Sequence, residues 1–193
     1  MAEVFARGQG VAVVAIGLCV VAANVHSSVT LPATGRVEVA FSPRDDPQAL
    51  LTRVIGAASK TIHVQAYVFT SQPIADALIA AHRRGVKVEV LADAGMNRRG
   101  TGKALPKLLE AGVPLAFETR YAAAHNKVVI IDPQGPGCAL VTGSYNFTWS
   151  ARNRNAENIV VHHDNCALAR HFLDNWRVHR KDAEVVKRLP QRP

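Results

Sequence analysis

The chain has 193 residues, 48% of them hydrophobic, and a formal net charge of +8. That is one domain's worth of chain with ample material for a core, which excludes an intrinsically disordered protein. The excess of Lys and Arg points to a polyanionic partner, nucleic acid or an anionic lipid surface, without choosing between them.

In chain order, Arg7 precedes an uncharged run from Val11 to Ala23. Thirteen residues are too few for a membrane span of about 20 but suit the hydrophobic stretch of a signal peptide. Residues 1–27 therefore read as an export signal, cut after Ala23 or Ser27, giving a periplasmic or secreted protein; if uncut, the segment is a membrane anchor. Cleavage would remove Cys19 and leave Cys138 and Cys166, which form one disulfide or remain two buried thiols.

From residue 36 to 185 the pattern alternates strands and helices. Arg36 to Phe41 reads as a strand. Asp46 followed by Pro47 opens a helix to about Ala58. Thr61 to Phe69 is a second strand, Pro73 to Arg84 a helix stopped by Gly85, and Val86 to Leu91 a third strand. Ala104 to Ala111 is a short helix before a strand over Val113 to Phe117. Two strands follow, His125 to Ile131 and Cys138 to Thr142, separated by a turn. A short helix over Asn146 to Arg152, a strand from Glu157 to His162 and a last helix capped by Asp164 complete the domain. Leu168, Phe172 and Trp176 mark the expected buried face of that helix. The fold class is α/β, a mixed central β-sheet with helices on both faces.

One strand carries chemistry. In His125-Asn126-Lys127 followed by Val128 to Ile131 and Asp132, residues two apart share a face, so an imidazole and an ammonium project together. Lys supplies charge for a phosphate, and His can attack or move protons. Alone, such a pair is usually just an exposed strand edge. The segment Gly143-Ser144-Tyr145-Asn146, leading into a helix, adds groups able to hold an anion. Glu157 opens the next strand, where a carboxylate can orient a histidine.

Taken together, His125, Lys127, Asp132, Gly143, Ser144 and Asn146 resemble the phospholipase D superfamily, whose signature is His-x-Lys, four residues, Asp, then Gly-Ser-x-Asn. The resemblance covers about residues 36 to 180, including the Tyr67-Val68-Phe69-Thr70 strand end. It is nearest the small bacterial endonuclease branch, single-motif enzymes with signal peptides.

The resemblance implies a phospholipase D-like fold and a two-step, metal-independent phosphodiesterase that needs no cofactor. One histidine attacks phosphorus and a second protonates the leaving oxygen, then activates water. Lys127, Ser144 and Asn146 would hold the phosphate oxygens, Gly143 would line the substrate, and Glu157 would orient a catalytic His. Asp132, part of the catalytic motif, is expected to support it through hydrogen bonds. His179-Arg180-Lys181 mimics the motif, but Val186 stands where Asp belongs. One motif and a need for two histidines together imply a homodimer with paired copies of His125.

Other signals are weaker. The loop over residues 97–103 imitates a phosphate-binding P-loop but has Asn97 for the first glycine and Ala104 for the final Ser/Thr. Arg98, Arg99 and Lys103 there remain candidates for contacting a nucleic-acid backbone. His162, His163, Asp164 and His171 match no zinc pattern. Trp149 suits a stacking, core or dimer role, and Arg152 and Arg154 lie close to the motif in sequence. The expected activity is a non-specific endonuclease on DNA, with RNA a second nucleic-acid substrate. The alternative is a phospholipase D or cardiolipin hydrolase acting on anionic phospholipid.

Overall fold

The computed structural model describes residues 28–99 and 102–189; the expected signal segment, residues 1–27, lies outside them. The chain divides into a unit ending at Thr30 and a second unit from Leu31 onward, to which everything below refers.

The elements follow in order. Strand β1 (Arg36–Ser42) leads to helix α1 (Pro47–Gly56), then β2 (Thr61–Ala66), α2 (Gln72–Arg83) and β3 (Lys87–Asp93). Two short helices, α3 (Ala94–Asn97) and α4 (Ala104–Glu110), precede β4 (Leu115–Glu118). The second half is β5 (Lys127–Ile131), β6 (Ala139–Gly143), α5 (Trp149–Asn153), β7 (Glu157–His163), α6 (Cys166–Lys181) and β8 (Glu184–Val185).

Eight strands form one sheet in the order β1-β7-β6-β5-β2-β3-β4-β8. β2, β3 and β4 run parallel, each reached through helices, while the remaining pairings are antiparallel. Registers of Ala66 with Lys127, Gly143 with Ile159 and Ser42 with Glu157 bring the end of β2, the start of β5, the end of β6 and the start of β7 to one sheet edge. The parallel partners β3 and β4 also finish there, at Asp93 and Glu118.

Helices cover both faces, as the alternating pattern predicts. On one face Leu51, Ile55 and Leu78 meet Ile62, Val64, Val90, Val129 and Ile131. On the other, Ala169, Leu173 and Trp176 of α6 cover Leu91, Val128, Ile130 and Leu140. Burial of such side chains contributes about 1.5–3 kcal/mol each. The buried stripe of α6 is turned by one position from the Leu168-Phe172 line, whose members are only partly buried. Trp176 donates from Nε1 to the Val64 carbonyl at 3.0 Å, and the His63 ring lies 4.7 Å from it. Burial pushes the pKa of the half-buried His63 down, favouring its neutral form.

Local chemistry explains the element ends. Asp46 caps α1 by accepting from the Ala49 N–H at 3.0 Å, with Pro47 in the first turn. β2 stops at Ala66 rather than Phe69, because residues 68–71 leave the sheet to bond Phe147. α5 begins at Trp149, not Asn146, since Thr148 takes the Ala151 N–H and fixes the start. The cap of α6 is Asn165, whose Oδ1 accepts from Leu168 N; Asp164 instead adopts φ +60° in the preceding turn. Cys138 and Cys166 form a disulfide across a Cα separation of 5.6 Å, tying β6 to the start of α6.

Asp132 holds the end of the sheet away from the motif's histidine. Its carboxylate accepts from Ser59 N (2.7 Å), Ser59 Oγ (2.9 Å), Lys60 N (2.8 Å) and Thr61 N (2.7 Å), fastening β5 to the entry of β2. Burial raises its pKa, but the hydrogen bonds outweigh burial and hold it below the ordinary 3.8. Asp132→Ala should lower the free energy of unfolding by about 3 kcal/mol. A carboxyl depressed in the folded state contributes fully above its unfolded pKa and loses that contribution as pH falls through the folded value. Denaturant titrations should therefore show the gap between the two proteins closing in acid; a gap that persists there would contradict this role.

Candidate active site

The shared sheet edge gathers most of the motif. Lys127 is the first residue of β5 and is buried. His125 sits two residues earlier, before the ladder begins, rather than inside the strand. The two still project together. Lys127 Nζ lies 3.0 Å from His125 Nδ1 and donates to the His125 carbonyl at 2.6 Å. Burial pushes the Lys127 ammonium down from its ordinary pKa, and the Glu157 carboxylate partly opposes this.

Tyr67, immediately after β2 at the strand end that the family resemblance includes, completes this cluster, though the sequence alone assigns it no role. Its ring lies 4.2 Å from the His125 ring and 4.6 Å from Lys127 Nζ, a tilted aromatic contact and a cation–π contact on one side chain. Asn97 fixes the loop that presents it. The buried Asn97 amide donates to the carbonyls of Tyr67 (2.7 Å) and Asp93 (2.8 Å) and accepts from Phe69 N (3.0 Å). Asp93 in turn accepts from Met96 N and Ala124 N, both at 2.8 Å, joining α3 to the residue before His125. Only Asn97's place in a P-loop-like run drew attention in the sequence, and for a different reason.

The second motif segment follows β6. A Cβ on Gly143 would lie 2.3 Å from the Asn158 carbonyl oxygen, so only glycine permits β7 to come this close. That gives Gly143 a structural duty at the strand crossing. Ser144 Oγ donates to Glu157 Oε2 at 2.5 Å and accepts from Asn158 N at 3.1 Å. Asn155 Nδ2 binds the other Glu157 oxygen at 2.9 Å. Within one chain Glu157 is thus engaged by Ser144 and Asn155 rather than by His125. Asn146 Oδ1 is buried with no hydrogen-bond partner among the described residues, an unmet polar atom beside the motif. The helix begins three residues later than expected, at Trp149, with its cap Thr148 bonded to the Asn146 carbonyl at 2.8 Å. Tyr145, between Ser144 and Asn146, is buried; burial pushes its phenol up to about 12, which keeps it neutral.

Asp132 does not join the site. It follows the far end of β5, about 16 Å from Lys127 at a strand's rise per residue, and its hydrogen bonds are those to residues 59–61. The basic loop is split in role. All three basic residues are exposed, but Arg98 is ion-paired with Glu184 and lies 5.9 Å from the centre of the Phe117 ring. Arg152 is paired with Asp46 at 2.6 Å, and Arg154 lies over Trp149, which is 63% exposed and therefore not a core residue. His163 bonds Glu38 at 3.0 Å.

Comparison with known proteins agrees with this geometry. Residues 51–177 match the family model described as "Cardiolipin synthase, PLD-like domain". The chain is a phosphodiesterase of the phospholipase D superfamily. Among particular relatives, it is 36% identical to the phospholipase D of Rickettsia prowazekii over 151 residues, 78% of this chain and 71% of that protein. The structure of Nuc from Salmonella typhimurium, a phospholipase D family member, superposes with a TM-score of 0.72 at 32% identity, covering 79% of this chain and 99% of that one. A mitochondrial cardiolipin hydrolase from Chlamydomonas reinhardtii is 30% identical over 107 residues, 55% of this chain and 46% of that one.

The coupling of Lys127 to Glu157 is testable. Removing the carboxylate charge in Glu157→Gln removes the influence that raises the Lys127 pKa, so the ammonium is lost at lower pH. The alkaline limb of kcat/KM on a small phosphodiester should move toward neutrality. A limb that stays in place would show that Lys127 does not govern it.

Proposed function

We propose that this chain is an exported, metal-independent endonuclease that hydrolyses DNA, and RNA as a second substrate, through a phosphohistidine at His125. The observation that carries the reading is the ammonium of Lys127 held against the His125 ring at an open sheet edge. An ammonium only donates, so Nδ1 accepts from it and the neutral ring carries its proton on Nε2. A phosphate oxygen that draws Lys127 away frees Nδ1 to take the ring proton, which leaves Nε2 with an open lone pair.

In the first step that nitrogen attacks phosphorus; the P–N bond forms as the P–O bond to the leaving nucleotide breaks. The leaving oxygen takes a proton from a second imidazole that starts protonated as an imidazolium, His125 of a second copy of the chain, leaving that ring neutral. That imidazole then removes a proton from water, the water oxygen attacks phosphorus, and the P–N bond breaks to release a phosphomonoester. Lys127 and Asn146 bind the equatorial oxygens as charge develops, with Ser144 swinging from Glu157 to assist. The proton and electron movements balance with histidine and water alone. Exposed Trp149 gives the second copy an apolar contact near the site.

A net charge of +8 and the resemblance to the small endonuclease branch favour nucleic acid. The Cys138–Cys166 disulfide supports an oxidising compartment, in keeping with a periplasmic or secreted enzyme. Phospholipid hydrolysis is the second reading, favoured by the 36% identity to a phospholipase D. Purified protein incubated in EDTA with plasmid DNA, RNA and cardiolipin liposomes separates the two. Nucleic acid should be cut, His125→Ala should lose at least about 1,000-fold in rate, and active material should sediment as a dimer. Lipid turnover without DNA cleavage, EDTA inhibition or a fully active monomer would each refute the corresponding part.

A further inference from the structure

A second recess opens beside the site, at the carboxyl ends of β3 and β4, the position where open α/β sheets receive ligands. It is an open cleft of about 400 Å³, lined by Asp93, Arg98, Arg99, Glu118 and Tyr121 among others. That is within the size range of small-molecule sites. Its wall leads directly to His125: Tyr121 stands four residues upstream, and Asp93 holds the Ala124 N–H.

The cleft has the parts a nucleoside requires. Tyr121 is 41% exposed and stacks by its other side on the His179 ring, with centroids 4.9 Å apart and planes 27° from parallel. His179 is itself locked by a hydrogen bond from Nδ1 to the Glu118 carboxylate. The aromatic platform is therefore backed by a rigid pair rather than by solvent. Glu118 is 3% exposed, and its second oxygen has no hydrogen-bond partner among the described residues. Such an acceptor matches the N–H edge of a base. Arg99 at the rim is exposed and has no ion-pair partner among the described residues, leaving its charge available for a phosphate.

We infer that this cleft binds the nucleoside adjoining the scissile phosphate, its base stacked on Tyr121 and its outer phosphate held by Arg99. His179, a false echo of the catalytic motif, becomes a positioning residue that fixes the platform. The inference rests on the nucleic-acid reading above and gives it a specificity element: a lipid headgroup has no planar ring for Tyr121.

Three small diesters with the same 4-nitrophenyl leaving group test this: the thymidine 5′-phosphate diester, the thymidine 3′-phosphate diester and the methyl phosphate diester. The wild-type protein should prefer at least one thymidine diester over the methyl diester in kcat/KM by about 10-fold or more, the scale of one stacked base. That ratio should fall to near one in Tyr121→Leu and survive in Tyr121→Phe. Because the readout is a ratio within each protein, general loss of fold or chemistry does not mimic it. A ratio unchanged in Tyr121→Leu, or no nucleoside preference in an enzyme that does cut DNA, would overturn the cleft's role. Failure to turn over DNA at all would instead overturn the endonuclease reading beneath it.

Discussion

A lysine ammonium buried at the first residue of β5 is the constraint around which the site is arranged. Burying such a charge is costly unless partners replace water. Here the His125 carbonyl, the His125 ring nitrogen and the face of Tyr67 supply them. The arrangement that makes the charge tolerable also aligns the imidazole. An incoming phosphate, carrying full negative charge, is a better partner than any of the three, so the same resting site is poised to be remade by substrate.

The sheet explains why these groups meet. Parallel strands β2, β3 and β4 end where antiparallel β5 and β7 begin, so side chains from distant parts of the sequence converge on one edge. Asp132 fastens the opposite edge through four hydrogen bonds, and Asp93 fastens the segment that enters β5. Chemistry and anchoring are thereby placed at opposite ends of a five-residue strand. The cleft beyond Asp93 lies on the catalytic side of the sheet, where the nucleoside inferred above would rest without new architecture.

Much of this was legible in the residues. Period-two spacing put His125 and Lys127 on one face, and the run from Val128 to Ile131, buried on both faces, announced a central strand. The Gly-Ser-x-Asn segment and Glu157 were legible because they flank strand ends. The roles of Tyr67, Asn97 and Tyr121 were not, since each has a defining contact with a partner 25 or more residues away that no local pattern encodes. Spacing also placed Asp132 with the motif, while a strand's rise carried it to the other edge. Helix starts shifted with their caps: Thr148 moved the start of α5 from Asn146 to Trp149, and Asn165 rather than Asp164 caps α6.

The central claim is that the His125 ring becomes covalently bonded to phosphorus. It is tested most directly by acid- or base-quenching the enzyme during turnover of a slow diester and mapping phosphorylated peptides by mass spectrometry. The account predicts a base-stable, acid-labile nucleotidyl or phosphoryl adduct on His125 that forms and decays at rates consistent with turnover. Steady hydrolysis with no adduct on that ring, or with the adduct on another residue, would contradict it.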